Sequence, residues 1–405
     1  MARRHNGEGS IFPYRNGFAA YVWITTPAGR RQRKYVYGKT REIVHTKWIE
    51  LARQAAHGPV VAKVPTVSQY LWRWLSETVG PNLAPLTYAT YESHVRHYLD
   101  PGLGSIRIDR LGVADVQRWL NRLPTQCQCC AQGKDAKRSE RGKARCCAVG
   151  RCCKGVPSAR TIKDVRAVLR SALTSAMREE FVVRNVAEMV TMPKQRKRKV
   201  VPWSSEEARR FLESARADRD VMYAAYVLIL VLGLRKGEVL GLRWGAVDLE
   251  GRELVIDHQV QRVRRELLYR ETKTDASDAT LPMPEIVATA LVMCRDEQDK
   301  SRAEARQAPA AGPDLVFTGR YGTALDPRTL NRRFTARCDA AGVRQLTVHD
   351  ARRTCATLLV DLDVHPRVIM RILRHADQAV TMEIYAKASS KATQEALRRL
   401  GESLR

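Results

Sequence analysis

Thr347-Val348-His349-Asp350-Ala351-Arg352-Arg353-Thr354 sets a histidine and an arginine three residues apart, behind a threonine suited to cap a helix. On a helix that spacing puts both side chains on one face, where an imidazole and a guanidinium can converge on one anionic group. A lone pair of this kind is common by chance, so its neighbours decide its meaning. Outward from it lie Gly233-Leu234-Arg235-Lys236-Gly237-Glu238, Thr272-Lys273-Thr274, Leu373-Arg374-His375 and Ile384-Tyr385-Ala386. Arg235, Lys273, His349, Arg352, His375 and Tyr385 therefore occur in that order over about 150 residues. Arginine forks neutralise phosphate oxygens, histidine and lysine position and move protons, and tyrosine supplies an oxygen nucleophile. Glu238, one turn beyond Arg235, is placed to brace its guanidinium.

Together these motifs resemble the catalytic domain of tyrosine recombinases, the phage integrase family, over residues 200 to 390. The resemblance implies that Tyr385 attacks a scissile phosphate and becomes linked to the 3′ end of the DNA. Arg235 and Arg352 then stabilise the pentavalent transition state, His349 and His375 assist proton transfer, and Lys273 on a β-hairpin protonates the leaving 5′ oxygen. It implies a site-specific integrase that integrates or excises a phage or mobile element, with no cofactor for catalysis, neither ATP nor metal. The implied partners are double-stranded DNA attachment sites, three further copies of the chain in a homotetramer, and an excision factor. A chromosome or plasmid dimer resolvase of the same family is one alternative, and a catalytically idle DNA-binding regulator is another. Two positions depart from the family pattern: Arg374 stands where glycine is usual, and Ala351 where leucine is frequent.

The chain has 405 residues, enough for two or three domains, and 70 Lys+Arg against 43 Asp+Glu give a net charge of +27, the footprint of a protein that lies on a polyanion. The fold class expected is multidomain: a small βββα module over 1–60, an all-α domain over 65–195, and a mixed, mainly α catalytic domain over 200–405. In the first of these, β-rich stretches between residues 9 and 37 are separated by turn residues, and Thr40 is suited to cap a helix ending near Gly58. Arg30, Arg31, Arg33 and Lys34 cluster at one hairpin, which makes them candidate DNA contacts. The module is similar to the arm-binding domains of integrases, and the all-α region to their core-binding domains. Arg196, Lys197 and Arg198 lie in a basic linker that would pass close to phosphates. No apolar leader opens the chain and Val221 to Gly233 is too short to cross a bilayer, so a cytoplasmic protein without membrane partners is expected.

Residues 126–154 form an insert that holds seven of the ten cysteines. Cys127, Cys130, Cys147 and Cys152 give the spacing C-x2-C-x16-C-x4-C, within the range of a tetrahedral structural zinc site. Three cysteines are left over. A metal would order a basic loop with few apolar residues, and the alternatives are an insertion with free thiols or a redox-sensitive loop.

Overall fold

The computed structural model describes residues 11–25, 29–58, 64–192, 200–272, 279–305, 313–319 and 322–374, together with 398 and 402. The chain divides into two compact units, Met1–Gln195 and Arg196–Arg405. Helices predominate, with small antiparallel sheets.

The first unit opens with three strands in the order β1 (Phe12–Tyr14), β2 (Gly17–Thr25) and β3 (Arg31–Gly38), followed by helix α1 (Arg41–His57). The Thr40 hydroxyl accepts the Ile43 N–H at 3.3 Å, which caps α1 as expected. The pleat sorts the strands into two faces. Val22, Ile24 and Val36 pack with Leu51 and Ala55 of α1, and Tyr21, Trp23, Arg31, Arg33, Tyr35 and Tyr37 occupy the other face.

Among the described residues the unit continues with α2 (Val67–Trp74), α3 (Pro85–His94), α4 (Val113–Arg122), the short α5 (Gln128–Ala131) and α6 (Lys134–Ser139), and the long α7 (Ala159–Arg178), with single helical turns at Gly80–Asn82 and Asp100–Leu103. Thr66 and Gln69 form a reciprocal cap, with bonds of 3.3 and 3.0 Å. Helices α2 and α3 run on into π turns, Leu75–Val79 and Val95–Leu99, so the apolar stripe of each continues past its regular end. Tyr70, Trp74, Leu99, Trp119, Leu169 and Leu173 centre the core. Within the insert, which the sequence suggests is a basic loop, α5 and α6 are helical. Elements of four and six residues do not complete two turns, so no periodicity can announce them.

The second unit is built around α9 (Tyr223–Val231), whose residues Tyr223 to Leu230 are all buried, the signature of a helix enclosed on every side. It follows α8 (Ser205–Ala217) and precedes α10 (Lys236–Gly241). Strands β4 (Val247–Asp248), β5 (Glu253–Ile256), β6 (His258–Val263), β7 (Glu266–Glu271) and β8 (Ala279–Pro282) follow. They form two sheets, β4-β5-β8 and the hairpin β6-β7. Asp257 separates β5 from β6 and ion-pairs with Arg243. Among the described residues, helices α11 (Glu285–Ala305), α12 (Pro327–Ala340), α13 (Val348–Asp361) and α14 (Pro366–Leu373) follow. Trp203, Phe211, Tyr226 and Phe334, with ring centroids 4.9 to 5.8 Å apart, bind α8, α9 and α12 together.

Gly233 joins α9 to α10 at φ +60°, and a Cβ there would lie 2.3 Å from Leu373 Cδ2. Gly233→Ala is expected to cost about 1–2 kcal/mol from the left-handed backbone alone, before any clash. Amide exchange across α9 and α10 should accelerate by about tenfold or more. Unchanged exchange would show that the junction tolerates a side chain.

Candidate active site

Arg235 is the N-cap residue of α10, the first turn after the buried helix. Glu238 reaches back to it: one carboxylate oxygen accepts the Arg235 N–H at 2.8 Å, and the other accepts Arg235 Nη1 at 2.6 Å. A single carboxylate thus caps the helix and orients the guanidinium, the bracing expected from the sequence. Arg235 Nη2 also donates to the Arg374 carbonyl at 2.9 Å.

Arg352 lies on α13 and is 4% exposed. Its guanidinium donates to the carbonyls of Gly233 and Leu373, so the backbone at the ends of α9 and α14 fixes its direction. His349 precedes it on the same helical face. Together with Arg235, Lys236, Asn331 and Thr347, these two side chains line a cleft of about 590 Å³. Thr347 caps α13 by accepting the Asp350 N–H at 3.2 Å, as the opening motif suggested.

The electrostatics suit an anion. Burial, then the charge of Arg235, lowers Arg352 to about 9, so it remains charged at neutral pH. Burial, then Arg353 and Arg352, holds His349 below the ordinary histidine value, leaving a neutral imidazole able to accept a proton. Burial alone would raise the Glu238 carboxyl, but Arg374 and Arg235 outweigh it and hold the group below its ordinary value. Three guanidiniums against one carboxylate leave excess positive charge for a phosphate to neutralise.

Arg374 is the residue whose role the sequence missed. An arginine in place of the family's usual glycine would add bulk and charge near the phosphate if it pointed outward. The structure turns it inward: it is 3% exposed, and its Nη2 donates to Glu238 at 2.6 Å. Its backbone is left-handed, φ 52° and ψ 49°, the conformation that glycine adopts without cost. The family's usual glycine was the available signal that this position ends a helix in that conformation.

Arg235, Glu238, His349 and Arg352 are therefore brought together. Lys273, His375 and Tyr385 lie outside the described residues, as do Arg196, Lys197 and Arg198. In the N-terminal sheet, Arg31 and Arg33 share the exposed face with aromatic rings, Arg33 stacking 4.7 Å from the Tyr21 ring and 4.8 Å from that of Trp23. Arg30 is exposed just before β3. Lys34 parts company with them. It belongs to the face that meets α1, and burial pushes its ammonium below the ordinary value. Period-two alternation along β3 already carried that distinction. Among the cysteines, the sulfurs of Cys127, Cys130, Cys147 and Cys152 all lie within 4.8 Å of one another.

Residues 203–392 match the phage integrase family, and residues 66–123 match the phage integrase N-terminal SAM-like domain. The chain is a tyrosine recombinase of the phage integrase family. An integrase of Streptomyces ambofaciens is 28% identical over 90% of this chain and 89% of its own length. A "tyrosine recombinase XerC-like" protein of Caldanaerobacter subterraneus subsp. tengcongensis is 24% identical over 94% of this chain and 96% of its own. In fold, the recombinase is similar to the Tn1549 transposon integrase solved with circular intermediate DNA, at a TM-score of 0.64 and 20% identity over 83% of this chain and 99% of that one. It is also similar to lambda integrase solved as a dimer on a core site, at a TM-score of 0.53 and 15% identity over 95% of this chain and 96% of that one. No described helix of the recombinase is long and apolar enough to cross a membrane.

Glu238→Gln keeps the shape of the brace and removes its charge, leaving Arg374 buried without a counter-ion. A loss of about 3 kcal/mol is expected, largely recovered in the Glu238→Gln/Arg374→Gly double variant. Because the carboxyl is depressed in the folded state, its contribution is full above the unfolded carboxylate range and disappears as pH falls through the folded value. Thermal unfolding from pH 7 downward should therefore narrow the gap between wild type and Glu238→Gln. A constant gap would show that shape, not charge, holds the site.

Proposed function

We propose that this recombinase integrates or excises a mobile element by cutting and rejoining DNA at attachment sites through a 3′-phosphotyrosyl intermediate. The observation that carries the reading is the convergence of Arg235, Arg352 and a neutral His349 on one cleft of excess positive charge. Arg235 and Arg352 would each offer N–H groups to the non-bridging oxygens of a scissile phosphate, where charge grows as a fifth oxygen bonds to phosphorus. Their directions are set beforehand by Glu238 and by backbone carbonyls, so little reorganisation is needed when that charge develops. His349 would accept the proton of the attacking hydroxyl.

Tyr385 is the nucleophile of this proposal, Lys273 the acid that protonates the departing 5′ oxygen, and His375 a further donor to the phosphate. The phosphodiester energy passes into the tyrosyl link and returns on religation, so the exchange needs neither ATP nor a metal. Four protomers on two duplexes would complete recombination. The exposed face of the N-terminal sheet, with Arg31 and Arg33 stacked among Tyr21 and Trp23, supports contact with a second class of DNA site. A β-ribbon of that width fits the major groove. That module favours an integrase over a dimer resolvase.

Tyr385→Phe is expected to bind attachment-site DNA normally and form no covalent complex, read by denaturing gel. Lys273→Ala should cleave slowly on ordinary DNA and recover on a substrate with sulfur at the bridging 5′ position, because a thiolate leaves without a proton. Arg352→Ala should not recover, since it acts on non-bridging oxygens. A covalent adduct from Tyr385→Phe, or equal rescue of Arg352→Ala, would overturn these roles. Separately, Arg33→Glu should weaken one class of footprint and leave cleavage-site binding intact. Equal loss at both would remove the sheet from arm-type recognition.

A further inference from the structure

The cysteine insert carries more than the recombination reaction uses. Its seven sulfurs form two overlapping groups of four, Cys127, Cys130, Cys147 and Cys152, and Cys129, Cys146, Cys147 and Cys153. Within each group all sulfurs lie within 4.8 Å of one another. Cys147 belongs to both. Two tetrahedra that share one corner need seven sulfurs, and that is the number the insert supplies. The three cysteines left over by a single site are thereby used.

The spacings fit. Thiolates held tetrahedrally at about 2.3 Å from a zinc ion sit about 3.8 Å from one another. The sulfur pairs Cys127–Cys147, Cys130–Cys152, Cys129–Cys146 and Cys147–Cys153 stand at 3.9, 3.8, 3.8 and 3.8 Å. A disulfide needs about 2.05 Å, and no pair approaches it. Cys127 and Cys153, one from each group, are 3.7 Å apart, as two corner-sharing tetrahedra would bring them.

The surrounding chain is built to hold this arrangement. The fully buried Asp135 on α6 accepts the N–H groups of Arg145, Cys146 and Ala148 at 2.8 to 3.2 Å, which fixes the loop that presents Cys146 and Cys147. Gln132 ties the insert to the helical domain through the His97 carbonyl at 3.2 Å. Two divalent ions and seven thiolates would leave about three formal negative charges, and Lys143, Arg145, Arg151 and Lys154 beside them in the sequence are suited to balance that charge.

We propose that the insert holds a binuclear zinc–thiolate cluster in which Cys147 bridges the two ions. Zinc suits the site because an all-thiolate tetrahedron selects a borderline-soft ion without geometric preference. With four sulfur ligands on each ion and no open position, its role is to order the basic insert beside the helical domain.

The test uses the full-length recombinase, purified under reducing conditions from cells grown first in zinc and then in cobalt medium. Elemental analysis should give two zinc ions per chain. The cobalt form should show tetrahedral d–d absorption for two ions, with an electron paramagnetic signal far weaker than two isolated high-spin ions give, because a shared thiolate couples their spins. Cys129→Ser should retain one ion and regain a full single-ion signal. Cys147→Ser should abolish the coupling. One ion per chain, no ion, two ions with an additive signal, or coupling that survives Cys147→Ser would each overturn the proposal. Should Cys147→Ser fail to fold, the stoichiometry and spin coupling of the wild-type protein still decide.

Discussion

The ion pair between Glu238 and Arg374 governs the catalytic unit. Both side chains are almost fully enclosed, at 3% and 1% exposure, so neither charge can be released to water. Removing two charges from solvent is expensive, and close contact alone often only offsets it. Here the carboxylate accepts further hydrogen bonds from the backbone and side chain of Arg235, and the backbone carbonyl beside the buried arginine accepts from Arg235 in turn. The pair therefore sets where the end of α14 lies relative to the start of α10. Arg352 then spans the same two segments through the carbonyls of Gly233 and Leu373. Two arginines that would repel one another on a flexible surface are held to one cleft by a frame whose own charges are already satisfied.

That frame explains a choice at position 374 that looks unfavourable in isolation. A non-glycine residue in the left-handed region costs about 1 kcal/mol or more, and the ion pair with Glu238 offsets it. Glycine would spare the strain and leave Glu238 a counter-ion for Arg235 alone. With Arg374 present, the carboxylate is shared, and Arg235 is pulled less strongly toward it. A guanidinium with 40% of its side chain exposed, whose carboxylate partner is shared, faces the cleft where a phosphate would sit. The departure from the family's usual glycine thus alters the balance between holding Arg235 and leaving it able to bind.

Much of the fold was legible in the sequence because its signals are local. The caps at Thr40 and Thr347 are short polar motifs ahead of periodic apolar residues, and each is found where the spacing placed it. The apolar run ending at Gly233 could only be a buried helix. What escaped were features set by packing between distant segments. Nothing within Leu373-Arg374-His375 says that the arginine turns inward, because its partner lies 136 residues earlier in the chain. Nor does composition show that the strands after Ala246 divide into two sheets. Lys34 was grouped with Arg31 and Arg33 because charge was counted along the chain, whereas the pleat of β3 separates them.

The cysteine insert reverses that relation. Its helices were invisible to periodicity, yet its ligand spacing was readable, because metal sites are specified by donor type and separation more than by apolar pattern. Spacing alone picked out four sulfurs and could not assign the rest, since the choice of a bridging residue depends on where the loop held by Asp135 folds back. Once that carboxylate gathers the N–H groups of Arg145, Cys146 and Ala148, Cys146 and Cys147 are presented together from one tight turn. Both belong to the second group of four, and Cys147 alone also belongs to the first, so the turn that Asp135 fixes carries the corner the two groups share.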